Sequence, residues 1–242
     1  MAAKVRGWRV KPCRFQRWRN FSLASLIPLP LRRPYISLMT PTAPALITDL
    51  AQLDPNGSYT YADYLRWQFT EAVELIRGKV LRKMAGPVRA HQRISSNLHG
   101  EIHTFLKRQP CQVYAAPFDV RLLRSSPNGD AQIRTVVQPD LCVVCDPAKL
   151  DERGCLGAPD WIIEIVSPRT ARLDTSIKYD LYAENGVREY WIVFPKEQVV
   201  QAFALQEHGE YQLRDEYDAP GRVLSHTLPE LALEWEDIFA DA

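Results

Sequence analysis

Two acids stand in this sequence where acids are costly. Residues 159–168 read PDWIIEIVSP, an apolar strand with Glu164 at its centre, and residues 136–144 read VVQPDLCVV, with Asp140 behind a proline. A carboxylate inside an apolar strand is expensive unless something pairs with it or binds it. Side chains alternate along a strand, so Asp140 shares a face with Cys142 and Val144, and Glu164 with Asp160, Ile162 and Val166. If the two strands are neighbours, one acid from each converges on a single spot. Two carboxylates there repel unless a cation lies between them, and hard oxygen ligands suit Mg²⁺ or Mn²⁺. That combination points to metal-assisted phosphodiester hydrolysis. The plainer alternative is that the acids cap, or pair with arginines such as Arg134 or Arg121.

Such chemistry also needs a positive group to orient water and offset charge on a phosphate. Lys178 lies on the helix that follows the Glu164 strand and shares a helical face with Leu181 and Tyr182. Its alternative role is a surface pair with Asp174, four residues earlier, worth only ~0.3–0.5 kcal/mol. Spacing alone leaves these two readings open.

The elements that must position these groups are legible in outline. YTYADYLRW (59–67) predicts a short helix with Thr60 as N-cap. VELIRGKVLRKM (73–84) predicts two strands turning at Arg77-Gly78, and Pro87 opens a helix to about Lys107 through Ile94, Leu98, Ile102 and Phe105. Residues 111–123 and 133–145 read as strands around the turn-rich RSSPNGDAQ. The strand 160–166 follows, then a helix with Ser167 as N-cap and Pro168 at its first position, stopped at Asn185-Gly186. REYWIVF (188–194) and QVVQAFAL (198–205) form a hairpin around Pro195-Lys196, and LPELALEWEDIFA is a last packed element. The pattern is one mixed α/β domain with a central sheet.

The run QPDLCVVCDPAKLDERGCLGAPDWIIEIVSPRTARLDTSIKYDLYAENGVREYWIVFP, with VELIRGKVLRKMAGPVRAHQRI and PFDVRL upstream, closely resembles the Uma family of restriction-endonuclease-like proteins, placed in the PD-(D/E)XK nuclease superfamily. The resemblance covers roughly residues 58–240 and implies a restriction-endonuclease-like fold, a mixed central sheet flanked by helices. It implies a metal-dependent endonuclease acting on DNA, with Mg²⁺ or Mn²⁺ on Asp140, Glu164 and the backbone carbonyl of Ile165. The superfamily's lysine falls at position 166, where this chain has Val166; the Uma pattern carries a lysine on the next helix, matched by Lys178. Glu74 matches a family acid that completes such sites, against its plainer reading as a solvated hairpin face. The family usually has an acid where Lys79 stands. His91 matches a frequent family histidine and is expected to pack, while His99 and His103 form a polar helix face. Tyr190 and Trp191 are expected to pack against the Lys178 helix, and Asp119 to pair with Arg121.

Charge and cysteine content frame these expectations. The chain has 242 residues and a net charge of +1, but residues 1–38 hold nine Lys or Arg and no acid, so the remainder carries −8. That head is a nucleic-acid arm, a transit peptide, or an upstream extension before Met39, and each reading makes it disordered without a partner. Residues 39–57 read as a loose lead-in to the 58–240 domain. No apolar run approaches the ~20 residues needed to cross a bilayer. Five cysteines without framework spacing suggest a reducing cytoplasm, with Cys142 and Cys145 as small core residues. DNA is the expected partner, and double-strand cutting would call for a homodimer. The rivals are a non-catalytic DNA-binding or regulatory relative, to which Val166, Lys79 and the −8 lend force, and a hydrolase of RNA or small phosphodiesters.

Overall fold

Thr60 begins the first helix, α1 (Tyr61–Tyr64), with a reciprocal cap: its side chain accepts from the Asp63 N–H, and the Asp63 carboxylate accepts from the Thr60 N–H. In this computed structural model residues 46–83, 88–123 and 129–242 are described. The expectations for residues 1–38, for the first part of the lead-in and for Pro87 as a helix opener lie outside them. Strands β1 (Val73–Ile76) and β2 (Lys79–Arg82) pair as a hairpin. Arg77 and Gly78 turn it with φ of 50° and 80°, the two positive values that match a tight turn to strand twist.

The long helix α2 (Arg89–Leu106) buries Ile94, Leu98, Ile102 and Leu106. There follow β3 (Gln112–Ala115), β4 (Val120–Leu122), β5 (Thr135–Val137), β6 (Leu141–Val144), β7 (Leu150–Asp151), β8 (Gly154–Leu156) and β9 (Trp161–Ile165). Helix α3 (Lys178–Asn185) leads to β10 (Glu189–Phe194), β11 (Val199–Leu205), β12 (Tyr211–Tyr217), β13 (Arg222–Leu224) and β14 (Ala232–Glu234), and α4 (Trp235–Phe239) closes the chain.

The fold is mixed α/β, and its strands divide between two six-stranded mixed sheets, with order β2-β1-β5-β4-β8-β7 in the first and β12-β11-β10-β9-β6-β3 in the second; β13 and β14 form a separate ribbon. Two stretches with continuous apolar patterning are each split between the sheets. Residues 112–122 cross from β3 in the second sheet to β4 in the first, with Pro117 between; residues 135–144 cross back from β5 to β6, with Pro139 between. Proline has no N–H to give a ladder, so each crossing falls where pairing is already interrupted.

One apolar cluster draws on both sheets and α3: Ile76 and Val137 from the first sheet, Cys142, Ile162 and Ile192 from the second, Leu181 and Tyr182 from the helix. The opposite face of the second sheet, with Trp161, Ile163, Ile165 and Trp191, packs against α2 and α4 residues. Alternation therefore separates Tyr190 from Trp191. Tyr190 meets Tyr182 of α3 with ring centroids 5.1 Å apart, as expected, but Trp191 turns away to Trp161 at 4.6 Å.

Between β9 and α3, Ser167 caps a turn over residues 168–170, and helix begins at 171 rather than at Pro168 as expected. The Ser167 hydroxyl accepts from the Thr170 N–H, and the Thr170 hydroxyl from the Ser167 N–H. Residues Leu173–Ile177 then widen into a π-helical turn, in which the Lys178 N–H reaches back five residues to the Leu173 carbonyl. Gly186, at φ 84°, ends the helix.

The cysteine expectation is corrected in part. Cys142 is a buried free thiol, but Cys145 is disulfide-bonded to Cys111. The β3–β6 register explains the pairing, since Gln112 faces Val144 and one step on brings Cys111 opposite Cys145. The cysteine count therefore no longer argues for a reducing compartment. Among the described residues no helix is long and apolar enough to cross a membrane.

Candidate active site

Four elements bring charged side chains together at the seam between the sheets. Glu74 comes from β1 of the first sheet and Glu164 from β9 of the second. Asp140 lies in the crossing from β5 to β6, and Lys178 opens α3. The β6–β9 register pairs Leu141 with Ile163, so one further step brings Asp140 level with Glu164 on the neighbouring strand. Cross-strand neighbours of this kind hold their Cβ atoms about 5 Å apart.

Lys178 is the centre of the cluster. Its ammonium donates to Glu164 Oε1 at 2.8 Å and to Glu74 Oε1 at 3.2 Å, and lies 3.8 Å from Asp174 Oδ1. All four groups are buried. The Asp174–Lys178 surface pair is thus replaced by a buried multiple contact, and the solvated reading of Glu74 by a residue 1 % exposed. The π-turn accounts for this: the added residue turns both Asp174 and Lys178 inward.

Each acid has its own supports. Glu164 Oε1 also accepts from the Tyr182 hydroxyl at 2.6 Å, while no donor among the described residues reaches its Oε2. Glu74 Oε1 accepts from the Gln138 N–H at 2.9 Å. Lys83 donates to the Gln138 carbonyl at 2.6 Å, with its ammonium 3.8 Å from Glu74. Asp140 Oδ2 accepts from the Ile165 N–H at 2.7 Å and lies 3.1 Å from His91 Nε2. His91 therefore contacts an acid of the site rather than simply packing.

These surroundings set the protonation of the cluster. Burial pushes Glu164 up to about 8; Lys178 opposes the rise, and Asp174, Asp140 and Glu74 add to it. Burial likewise raises Asp174 to about 6. Lys178 is desolvated, which favours the neutral amine, but Glu164, Glu74 and Asp174 together hold it above the ordinary lysine range. For Asp140 burial is the largest effect and raises the carboxyl, yet His91 and the Ile165 N–H outweigh it, so Asp140 stays below its usual range.

The donor set fits a hard divalent cation. Four carboxylates face one fully buried ammonium and the half-buried Lys83, which leaves an excess of negative charge that a cation would offset. Among the described residues no three His, Cys, Asp or Glu side chains are gathered as a complete metal set. Asp140 and Glu164 nevertheless provide two carboxylates on adjoining strands, the number Mg²⁺ ordinarily takes from a protein. Val166, where the superfamily's strand lysine would stand, is buried in the apolar cluster beside Leu181 and Tyr182. The positive charge arrives from α3 instead.

Other sequence expectations resolve differently. Lys79 is exposed and donates to the Asn56 and Gly57 carbonyls, contacting none of the four acids. Asp119 accepts from Gln138 Nε2 at 2.8 Å rather than pairing with Arg121, which is buried and bonded to Asp151 at 2.6 Å. His99 and His103 stack at 5.8 Å on an outer face of α2, as expected. Sequence reasoning did not assign Asp174, Tyr182 or Lys83 to the site. The spacing 174–178–182 on one helical face was the available signal for the first two.

The α/β architecture is one seen in a solved structure. The crystal structure of a protein from Anabaena variabilis, titled a putative nuclease belonging to DUF820, shares the fold with a TM-score of 0.60 and 24% identity; the match covers 75% of this chain and 98% of that one. A Synechocystis protein described as uncharacterized is 23% identical over 164 residues, 66% of this chain and 81% of its own length. The model of the Uma2 family, described as "Putative restriction endonuclease", matches residues 61–236, and the chain belongs to that family.

Proposed function

We propose that this protein is a divalent-metal-dependent endonuclease that hydrolyses DNA phosphodiester bonds. The observation that carries the reading is the Lys178 ammonium, buried between Glu164 and Glu74, with Asp140 level with Glu164 on the neighbouring strand, on four elements that converge at one seam. A purely structural ion pair needs one acid for one base, and this cluster holds an excess of acids.

Asp140, Glu164 and the Ile165 carbonyl are the groups that would hold Mg²⁺ or Mn²⁺. A bound ion of this kind lowers the pKa of a coordinated water and polarises the phosphate. The chain's own residues do the rest. The Asp140 carboxylate is fixed by the Ile165 N–H and His91. Lys178 remains charged in its acidic surroundings, so it can orient the attacking water and offset charge gathering on the phosphate. Glu74 holds Lys178 from the first sheet and is itself tied to the Gln138 N–H. The exposed Arg89, Arg93, Arg169 and Arg172 offer positive charge to a nucleic-acid backbone, although residues 39–242 carry −8.

The test is calorimetric titration with Mg²⁺ and Mn²⁺, wild type beside Glu164→Gln, with supercoiled plasmid nicking on the same preparations. Binding and nicking that both vanish in the variant support the reading. Equal behaviour of the two proteins makes Glu164 structural and overturns it. Cleavage of RNA alone would move the substrate to the RNA rival.

A further inference from the structure

We propose that Tyr182 is a positioning residue whose hydroxyl pins Glu164 Oε1 so that Oε2 is the oxygen presented to the cation. The inference rests on Glu164 being a metal ligand, as read above.

The geometry is specific. The 2.6 Å contact lies at the short end of the range for O–H···O bonds, and both residues are buried. Tyr182 follows Lys178 by one helical turn, so α3 aims two donors in the same direction, and both end on the same oxygen. A lysine alone fixes charge but little orientation, because its stem is long and its ammonium donates in three directions. A phenol ring wedged in the core, edge-on to Tyr190, has no such freedom.

Neighbouring tyrosines supply the contrast. The Tyr190 hydroxyl donates to the Asp174 carbonyl at 2.9 Å, and that of Tyr211 to the Val187 carbonyl at 2.8 Å. Both bonds satisfy a buried phenol with backbone, the ordinary structural arrangement. Of these three buried tyrosines, Tyr182 is the one that ends on a carboxylate. Partners of metal-binding groups orient those groups, and losing one typically weakens metal affinity about 10–100-fold.

The experiment is Mn²⁺ titration by calorimetry of wild type, Tyr182→Phe and Tyr190→Phe, each checked for folding by its thermal melt. Expected are wild-type affinity for Tyr190→Phe and a dissociation constant raised about tenfold or more for Tyr182→Phe. Nicking should lose turnover rate while the KM for plasmid stays constant, a split that mere loosening of the core would not produce. Wild-type affinity in a folded Tyr182→Phe overturns the inference alone. Failure of the wild type to bind metal overturns it together with the function proposed above. Should Tyr182→Phe not fold, the Tyr182 hydroxyl proton is followed by NMR in the wild type during Mg²⁺ titration. A resonance that shifts to saturation with the metal supports the inference, and one indifferent to metal overturns it.

Discussion

Two buried glutamates sit on the adjoining parallel strands β9 and β10, and they are opposites. Glu189 receives four donors: Trp191 Nε1 and the His226 N–H on Oε1, the Ser225 hydroxyl and the Thr227 N–H on Oε2. It ties the start of β10 to the segment after β13 and has nothing left to offer. Glu164 receives two donors, both on one oxygen, and is crowded by three further carboxylates. Burial of an acid therefore does not mark a site. The distribution of donors over the two oxygens is what separates them: Glu189 is saturated, and Glu164 keeps an oxygen in reserve, as the proposed metal ligand needs.

Substitution should separate the two most sharply. Glu189→Ala leaves an indole N–H and a hydroxyl buried without partners and unpairs two part-buried backbone N–H groups, and should cost about 3–5 kcal/mol in urea unfolding. Glu164→Gln should stay within ~1 kcal/mol of wild type by the same measurement while losing metal binding, since it removes one charge from an over-acidic cluster. Comparable losses for the two would erase the distinction.

Lys178→Met comes next. It should lower nicking about 10²-fold or more, and it strips three buried acids of their cation, at a cost of ~3 kcal/mol at pH 8. That cost should shrink as the pH falls and the acids protonate. The wild type, held in EDTA, should show a milder form of the same dependence. Glu164 is raised from an ordinary 4.5 to about 8, so its contribution to stability is complete below pH 4.5 and lost as pH rises through 8. Asp174, raised from 3.8 to about 6, adds the same sign over a lower window. Urea unfolding at pH 5, 6.5 and 8 reads this slope, and Glu164→Gln should flatten its upper half. The smallest effect belongs to Lys79→Glu, which installs the acid that the family resemblance leads one to expect there. Because the Lys79 ammonium is spent on two loop carbonyls, Mn²⁺ affinity should change less than about twofold; a larger gain would place position 79 in the site.

Local chemistry made much of the fold legible. The Thr60 cap, the turn at Arg77-Gly78, the Ser167 cap, the stop at Gly186 and the 188–205 hairpin are each decided by residues within a few positions of one another. The two-sheet division was not legible, because the apolar alternation of 111–123 and 133–145 runs on through Pro117 and Pro139 without a change of period. Which sheet a strand joins is decided by its partners, and those are distant in sequence. The same holds for the acids. Asp140, Glu164 and Lys178 could be named from the strand pattern and the family resemblance. The burial of Glu74 depends on the second sheet closing over its hairpin, and the His91 contact on where α2 crosses the β5–β6 passage. Cys145 likewise found Cys111 through a register that neither stretch announces.

The widened turn at Leu173–Ile177 has a consequence for how this segment can change. Each helical residue swings the chain by about 100°, so the aim of Lys178 is set by the number of residues behind it. Thr175, Ser176 and Ile177 are exposed, and their identities can drift without moving the ammonium. Removing or adding a single residue among them would turn it out of the seam. The segment is free in spelling and fixed in length.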